Sequence, residues 1–443
     1  MQNYVRRILI VGLLMVSISL FSQTIPQCGF DSIVRSMDRQ RPGFYDQFLS
    51  NFNTPVLPEN PLFRTLSQGE FDTTYRIPVV VHIIYNTVLE NLPDSLVHNQ
   101  IDALNDAFNR TSSDTSKTRP IFKPIARSAQ IEFYLADTDP NGNPTTGIVR
   151  VPTNRATFGT LPIDSIDQIK FTAKGGSDAW DSDRYLNIWV GDISLPDFGD
   201  VLLGYAYPPV NAPNWPSEYY MPKQFQGCVI HYKVFGKNNP LTNPNLTFSA
   251  EGKTTVHEVG HYLGLRHIWG DSGGCAGDDG IDDTPNAQSA SNYNCNFNQN
   301  SCVDPNGNPP DMVENFMDYS GDPCQNMFTN QQVLRMRKNL RSLRPRVAQK
   351  QFTEGPGGTD NKDLYLARNN NSDSWTIHIR YSSTSPVELR IVDLQGRIMF
   401  KDQVVVNGSM DLPWPDHITQ RGIYLIQVVN PGWNDSVKAG FLN

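Results

Sequence analysis

Runs of apolar residues along the chain predict a globular region in which strands and helices alternate. The stretch YRIPVVVHIIYN (75–86) is rich in β-branched residues, as expected of a buried strand, and AQIEFYLA (129–136) and YLNIWVGDIS (185–194) predict two more. Between the first two strands, DSLVHNQIDALNDAFN has apolar residues at helical spacing, namely Leu96, Ile101, Leu104 and Phe108. With a histidine-bearing helix further on, this order indicates an α/β domain of roughly 270 residues.

The pattern changes near the C-terminal end. The segment EGPGGTDNKD (354–363) has the glycine and polar content of a linker. Beyond it, VELRIVDLQGRIMFKD (387–402) alternates apolar and polar residues around a QG turn, and GIYLIQVV (422–429) resumes the alternation. Several short alternating strands within roughly 80 residues predict a small all-β sandwich.

Two segments precede the first strand. Residues 1–22 begin with Arg6 and Arg7 and continue with ILIVGLLMVSISLF (8–21), which makes about 21 Å of helix and is too short to span a bilayer. A cleaved signal peptide is therefore favoured over a buried core helix. No later stretch approaches about 18 apolar residues, so no transmembrane anchor is expected after its removal. Residues 23–71 are rich in Pro and Asn with little periodicity, which indicates a pro-segment or arm.

Charge and cysteine content narrow the functional classes. The formal net charge is −8 at pH 7, which argues against nucleic-acid binding because phosphate recognition needs a basic surface. Export makes disulfides permissible. Four of the six cysteines cluster near one another and two stand apart: Cys275, Cys295, Cys302 and Cys324, and then Cys28 and Cys228.

The stretch HEVGHYLGLRH (257–267) concentrates three histidines. If 255–264 is helical, His257 and His261 lie one turn apart on one face and can reach one metal ion. Glu258, rotated by about 100° from His257, stands beside that ion without being a ligand. His267 would point away from it on a continuous helix, so Gly264 is predicted to end the helix in the left-handed conformation and let His267 return.

Three imidazoles without a fourth nearby ligand are typical of a catalytic rather than a structural zinc site. Zinc bound in this way lowers the pKa of its water to about 7 and polarises a carbonyl group. Glu258 could take the proton from that water and deliver it to a leaving amine. The stretch therefore predicts hydrolysis of peptide bonds.

The full pattern HExxHxxGxxH resembles that of the metzincin metallopeptidases. The later stretch ENFMDYSGDPCQNMFTNQQVLRMR resembles the Met-turn of their pappalysin (M43, ulilysin-like) family, and with TTGIVR and YLNIWV the resemblance spans about residues 75–345. It implies an α/β (α+β) metzincin catalytic domain with a twisted mixed sheet and an active-site helix. It also implies that Met317, by itself a plain core methionine, forms a floor beneath the histidines, and that Tyr319 stabilises the tetrahedral intermediate.

The acidic stretch CAGDDGIDDTPNA (275–287) allows two interpretations. Taken by itself, such a run is a solvated loop, although oxygen donors on a tight turn also suit Ca²⁺. The family resemblance implies a calcium ion bound by Asp279, the carbonyl oxygen of Asp282 and Thr284.

The clustered cysteines allow three pairings. The resemblance implies the disulfides Cys275–Cys302 and Cys295–Cys324.

Cys28 lies in PQCGF, just after the predicted signal peptide. The resemblance implies that its thiolate occupies the open zinc position in a zymogen, while a Cys28–Cys228 disulfide is the alternative. Maturation would then require cleavage within residues 50–75, near Arg64.

Some family members carry an acidic residue immediately before the cysteine that follows the Met-turn. In those members this residue selects an arginine of the substrate on the leaving-group side of the scissile bond. In this chain the residue before Cys324 is Pro323, and the acidic Asp322 lies one position earlier. Selectivity for arginine is therefore not expected here unless Asp322 compensates.

The C-terminal region resembles the sorting domain of the type IX secretion system, through VELRIVDLQGRIMF, RGIYLIQVV and KAGFLN. This implies a secretion machinery as partner and a secreted or surface protein of a Gram-negative bacterium. A carbohydrate-binding or other accessory sandwich is the alternative.

The predicted organisation has five parts: a signal peptide (1–22), a pro-segment (23–71), a zinc peptidase domain (72–350), a linker (351–363) and a sorting domain (364–443). The predicted function is a secreted zinc endopeptidase, made as a latent zymogen, that acts on proteins or peptides. A non-catalytic surface adhesin on the same scaffold and a structural zinc module are alternatives. The presence of Glu258 favours the enzyme, because a binding protein would tolerate its loss.

Overall fold

The computed structural model describes residues 28–53, 73–159, 163–195, 200–212, 214–216, 221–242, 244–271, 273–303, 308–352, 363–368, 375–382, 386–393, 396–405, 407–415, 417–418, 423–430 and 433–440. The predicted signal peptide, the maturation site near Arg64, most of the linker and the last three residues lie outside these ranges. The chain forms two compact units, residues 1–351 and 352–443. Among the described helices, none has the length and apolar character needed to cross a membrane.

The α-helices are α1 (Phe30–Gln40), α2 (Phe44–Asn53), α3 (Asp94–Asn109), α4 (Lys253–Tyr262) and α5 (Asn330–Leu343). The strands of the first unit are β1 (Thr73–Tyr85), β2 (Ala126–Arg127), β3 (Ile131–Leu135), β4 (Ile148–Pro152), β5 (Leu186–Gly191), β6 (Ser194–Leu195), β7 (Asp200–Val201), β8 (Gly204–Ala206), β9 (Cys228–His231), β10 (Phe328–Thr329) and β11 (Gln349–Phe352). Short 3-10 helices lie at Ser113–Lys117, Ile163–Lys170, Thr172–Lys174, Lys223–Phe225 and Pro244–Ser249.

The first unit is organised around β1, most of whose side chains are buried. Strand β1 pairs in parallel with β3, β4 and β5, and β5 pairs in parallel with β9. Strand β8 runs antiparallel to β9 and forms an edge of the sheet in the order β11-β1-β5-β9-β8. The predicted mixed sheet is confirmed. The β-branched run forms its buried centre because side chains on both faces are covered.

Helices α3 and α4 pack against each other and share one hydrophobic core with the sheet. The four apolar positions predicted for α3 are all buried: Leu96, Ile101, Leu104 and Phe108. Helix α4 begins and ends two residues earlier than the predicted range 255–264. Its first residue follows Gly252, which has φ +74°.

The region 30–53 forms two helices, which the sequence analysis of residues 23–71 did not predict. Helices of 11 and 10 residues are marginal by themselves in water and depend on tertiary packing. The buried residues Phe30, Val34, Phe44, Phe48 and Phe52 supply that packing, in a cluster that also contains Cys28, Ala212 and Trp215. The helical spacing of these apolar residues is present in the sequence, but short helices of this kind depend on packing against parts of the chain distant in sequence.

The second unit consists of antiparallel strands: β12 (Asp363–Arg368), β13 (Trp375–Ser382), β14 (Val387–Asp393), β15 (Ile398–Val404), β16 (Asn407–Pro413), β17 (Ile423–Asn430) and β18 (Trp433–Gly440). They form two sheets, in the orders β12-β13-β16 and β15-β14-β17-β18. Ile379, Leu389 and Ile426 contribute to the shared core. Strands β14 and β15 meet at a turn in which Gly396 has φ +81°. The predicted all-β C-terminal region is confirmed.

Candidate active site

Helix α4 carries two of the three predicted metal ligands on one face. His257 and His261 are one turn apart, and their Nε2 atoms are separated by 3.1 Å. The Nε2 atom of His267 lies 3.1 Å from that of His261 and 3.2 Å from that of His257. All three rings are buried. The fold therefore brings the three histidines of the sequence motif to one point.

The return of His267 depends on how α4 ends. Gly264 has φ +94°, in the region that favours glycine. Its N–H donates to the carbonyl oxygen of His261 at 2.8 Å, and the N–H of Leu265 donates to that of Gly260 at 3.0 Å. These two bonds form a Schellman ending, which reverses the chain and turns the following residues back toward the helix.

The other ring nitrogens are all hydrogen-bonded. Nδ1 of His257 and Nδ1 of His261 face backbone carbonyl oxygens at 2.7 and 2.9 Å, and Nδ1 of His267 faces a carboxylate oxygen of Asp271. A carbonyl oxygen only accepts, so the proton lies on Nδ1 and the Nε2 atoms carry lone pairs. Burial lowers the pKa of His257 to about 3 and holds that of His261 well below its usual value. Both rings are neutral, the form that binds a metal.

Three buried lone pairs directed at one another repel unless a cation lies between them. Zinc binds imidazole nitrogen at about 2.0–2.1 Å, which in a tetrahedral site separates the nitrogens by about 3.3–3.4 Å. The observed separations of 3.1 to 3.2 Å are close to that value. The donor set and its spacing therefore fit a zinc ion.

Glu258 lies beside this point on the same helix. Its side chain is fully buried, and among the described residues Oε1 has no hydrogen-bond partner. Strand β8 packs closely against it, since a Cβ on Gly204 would lie 2.9 Å from Glu258 Cγ. Burial raises the pKa of the Glu258 carboxyl well above its usual value. A carboxylate in such surroundings takes up a proton more readily, as a general base must.

Cys28 joins the three histidines. Its sulfur and one nitrogen of each ring all lie within 4.8 Å of one another. The thiol donates to Glu258 Oε2 at 3.4 Å. Next to it, the N–H of Gly29 donates to the carbonyl oxygen of Gly204 at 2.8 Å, which adds this segment to the edge of β8. Cys28 and Cys228 are both free thiols, so the alternative of a disulfide between them is wrong.

Tyr319 reaches the histidines, and Met317 reaches helix α4 beside them, from a loop far along the chain. The Tyr319 ring lies 4.7 Å from that of His267 and 5.6 Å from that of His257, centroid to centroid. Its hydroxyl donates to the carbonyl oxygen of Cys28 at 3.2 Å. Met317 is fully buried. Tyr319 therefore lines the point at which the three rings meet, whereas Met317 packs against α4 at Gly260.

Sequence patterns missed two residues beside the ligands. A Cβ on Gly260 would lie 2.4 Å from Met317 Sδ, so only glycine lets the methionine approach α4 this closely. Asp271 orients His267 through the bond to Nδ1. A glycine inside a predicted helix is a signal that could have identified the first. An acidic residue four positions after the last histidine is a much weaker signal for the second.

The acidic stretch forms a compact loop. Both carboxylate oxygens of Asp279 accept the Thr284 hydroxyl, at 2.9 and 3.1 Å. Burial and the charge of Asp278 raise the pKa of Asp279 well above its usual value. The N–H of Asp282 donates to the side chain of Gln331 at 3.3 Å. A buried carboxyl beside another acidic group is stabilised by a nearby cation, and its oxygen donors suit Ca²⁺.

The four clustered cysteines form Cys275–Cys302 and Cys295–Cys324. This is the pairing that the family resemblance implies. The second bridge holds the chain shortly after Tyr319.

Asp322 is fully buried at the start of α4. One carboxylate oxygen accepts the N–H groups of Glu251 and Lys253, at 2.7 and 3.3 Å. Burial, opposed by the charge of Lys253, raises the pKa of Asp322 to about 7. This carboxyl comes from a distant loop and satisfies backbone donors that no residue of the local sequence caps. The early start of α4 follows from this contact.

A buried cluster of three imidazoles and a carboxylate, on a helix that ends in a glycine turn, defines a metal-dependent hydrolase. Residues 172–341 match the peptidase M43 family, described as pregnancy-associated plasma protein-A. Mature mirolysin of Tannerella forsythia, in complex with a cleaved peptide, is 41% identical with a TM-score of 0.54, over 62% of this chain and 95% of that one. A promirolysin mutant of that organism is 37% identical with a TM-score of 0.58, over 72% and 96%.

An extracellular metalloprotease of Arthroderma benhamiae is 26% identical over 286 residues, which are 64% of this chain and 84% of that protein. The chain belongs to the M43 peptidase family. It is a secreted metalloprotease similar to mirolysin, and a homologue of the promirolysin zymogen. The alternatives of a non-catalytic adhesin and of a structural zinc module are set aside.

Proposed function

We propose that this chain is a latent zinc endopeptidase in which Glu258 acts as general base and acid. The observation that carries the proposal is the convergence of the three Nε2 atoms, 3.1 to 3.2 Å apart, beside a carboxylate. His257, His261 and His267 would hold the zinc ion. When bound, the ion would lower the pKa of a water to about 7 and polarise the scissile carbonyl.

Glu258 and Tyr319 would act on either side of the scissile bond. Glu258 takes the proton from the attacking water and delivers it to the leaving amine. Its position supports this role, because Oε2 lies 3.4 Å from Cys28 Sγ, the atom that would occupy the fourth ligand position in the precursor. Tyr319 donates a hydrogen bond to the oxyanion of the tetrahedral intermediate. The support is that its hydroxyl already donates to a peptide carbonyl at the site, that of Cys28.

Cys28 would keep the precursor latent as the fourth zinc ligand. The chemistry of the group supports this, since a thiolate is a good zinc ligand and completes a closed tetrahedral set with three histidines. In the described structure burial and the charge of Glu258 raise the pKa of the Cys28 thiol, whereas a bound zinc ion would stabilise the thiolate. Cleavage near Arg64 would then allow this segment to leave and open the fourth position to water.

We assign a structural Ca²⁺ to the acidic loop, with Asp279, the carbonyl oxygen of Asp282 and Thr284 as ligands. The buried Asp279 carboxyl and its raised pKa support a cation there. Depletion of calcium should lower the melting temperature of the full chain. Replacement of Asp279 by Asn should remove the response to calcium, and an unchanged response would contradict the assignment.

We further propose the five-part organisation given by the sequence, with residues 364–443 as a sorting domain read by a type IX secretion machinery. The host would be a Gram-negative bacterium, with the enzyme released or kept at the cell surface. The antiparallel sandwich fold of this region supports the proposal. Deletion of residues 364–443 should leave the enzyme inside such a cell, and normal export of the shortened chain would contradict it.

The peptidase assignment is tested with the processed chain and casein, with and without a chelator. Glu258→Ala should lower the rate by at least about 10²–10⁴-fold, and the chelator should abolish it. Glu132→Ala is the matched control, because its carboxylate belongs to β3, away from the histidines, and pairs with Arg76. Cleavage that resists the chelator, or that survives Glu258→Ala, would overturn the proposal.

A further inference from the structure

Helix α2 of the pro-segment presents a stripe of aromatic side chains. Phe44, Phe48 and Phe52 stand at i, i+4 and i+8 and are 3%, 0% and 3% exposed. Asp46 and Gln47, on another face of the helix, are exposed. Residues with this spacing form a single face of a helix. The stripe is therefore the surface by which α2 is held.

Two residues of the peptidase domain pack against these aromatic side chains. The Phe48 ring lies 4.7 Å from the ring of Trp215, and the Phe52 ring lies 6.3 Å from it, nearly perpendicular. The guanidinium carbon of Arg266 lies 4.4 Å from the centroid of the Phe48 ring and 4.2 Å from that of Phe52. Trp215 and Arg266 therefore form a slot between an aromatic ring and a cation, which we call the aromatic slot.

Arg266 is fixed in an orientation that suits aromatic ligands. It is 1% exposed, and its two terminal nitrogens donate to the backbone carbonyl oxygens of Asp278 and Gly270. A carboxylate oxygen of Asp271 lies 3.5 Å from it. With both terminal nitrogens engaged by these groups, the guanidinium offers its flat face, to which aromatic rings bind. The slot therefore favours phenylalanine over an aliphatic side chain of similar size.

Hydrogen bonds also hold α2 against the peptidase domain. The hydroxyl of Tyr45 donates to the backbone carbonyl oxygen of Asp271 at 3.2 Å and to Asp31 Oδ1 at 3.1 Å. It links α2 to the peptidase domain and to α1 in one place. None of these contacts involves the sulfur of Cys28.

We propose that the aromatic slot is a peptide-binding site of the mature enzyme and that its ligand is this chain's own α2 after cleavage. The proposal rests on the proposed function, since it concerns the zymogen of that peptidase. Two tasks are then separate: Cys28 blocks the metal site, and the aromatic stripe keeps the segment attached. A cut beyond Asn53 leaves the fragment docked by the helix-in-groove mode. Loss of Cys28 opens the metal site while α2 stays in place.

The test uses the full precursor with Glu258→Ala, which prevents self-digestion, and a recognition sequence for a site-specific protease inserted after Asn53. After cleavage, the sample is diluted and release of the N-terminal fragment is followed by size-exclusion chromatography. The unaltered fragment should remain bound. Phe48→Ala with Phe52→Ala should speed its release at least about tenfold, as truncation of buried aromatic anchors does at interfaces. Gln47→Ala, on the exposed face, is the matched control and should leave the rate unchanged.

Two more variants distinguish the contribution of the aromatic slot to fragment binding from that of the Cys28 thiol. Trp215→Leu, on the enzyme side, should speed release as the double phenylalanine variant does. A Cys28→Ser fragment should stay bound. Immediate release of the unaltered fragment, equal release with Gln47→Ala, or complete release with Cys28→Ser would overturn the slot. Melting curves of the uncut chains identify variants that fail to fold. Chelator-sensitive cleavage of casein by the processed wild-type chain is measured separately, so failure of the slot is distinguishable from failure of the peptidase assignment.

Discussion

Replacement of Gly260 by alanine tests how the metal-binding helix depends on the methionine beneath it. The new Cβ would lie 2.4 Å from Met317 Sδ and 3.7 Å from Phe328 Cε1. Non-bonded heavy atoms prefer separations of about 3.5–4.0 Å, so the sulfur has to retreat by about 1 Å or more. Met317 is fully buried, and therefore its retreat displaces its neighbours.

The free energy of unfolding should respond in a way that depends on Met317. Overpacking of a core costs about 1–3 kcal/mol, while alanine in a helix interior is favoured over glycine by about 1 kcal/mol. Gly260→Ala alone should therefore destabilise the protein by about 0–2 kcal/mol. In a Met317→Ala background the clash is absent, and the same substitution should stabilise by about 1 kcal/mol.

The assay is a double-mutant cycle of four chains, unfolded by urea in the Glu258→Ala background to avoid digestion. The expected coupling free energy between positions 260 and 317 is about 1–3 kcal/mol. Its sign should show that Gly260→Ala is less destabilising when Met317 is replaced by alanine, because the clash is then absent. Zinc affinity measured on the same chains should fall with Gly260→Ala and recover in the double variant, because His261 follows Gly260 directly. An equal effect of Gly260→Ala in both backgrounds would refute the reasoning.

Three other side chains lead to measurable outcomes. Asp271→Asn should weaken zinc binding by about 10–100-fold in a chelator competition, because it loosens the orientation of His267; unchanged affinity would count against that role. Burial lowers the pKa of His82 to about 4, whereas an unfolded histidine titrates near pH 6.5. The unfolded chain therefore takes up a proton first, and stability should fall as the pH drops from about 6.5 toward 4. His82→Asn should flatten this fall in urea titrations, and an unaltered slope would contradict it. Cys28→Ala should give a precursor that is already active or degrades itself; a stable, latent variant would argue against the thiol switch.

The sequence predicted the parts of the site that local spacing determines. The separation of His257 and His261, and the turn at Gly264, follow from helix geometry alone. The buried strand β1 and the C-terminal sandwich were also predictable, because burial on both faces and strict alternation leave clear patterns. The mixed sheet itself was an implication of the family resemblance. The disulfide pairing required the family resemblance, since spacing allows three choices.

Other features depend on contacts between distant segments and leave little local signal. Helices α1 and α2 are stabilised by a surface that includes Trp215, and although Phe44, Phe48 and Phe52 recur at helical spacing, helices this short are marginal without that surface. The start of α4 depends on Asp322, which lies about 70 residues later in the chain and caps the helix from outside. Gly260 is explained only once Met317 is seen against it. In each case the partner, and not the local pattern, decides the structure.

The cysteine bridges have a consequence for when the enzyme can work. Sulfur–sulfur bonds persist in oxidising compartments and are rare in the cytosol. Inside the producing cell, the stretch from Cys275 to Cys324 would lack both covalent links, one of which joins Cys295 to Cys324 shortly after Tyr319. If Tyr319 acts as proposed, a reduced chain would hold its ring less firmly, whatever the state of Cys28. We therefore expect the reduced chain to be less active than the oxidised chain, so that activity would depend on the redox state of the surroundings.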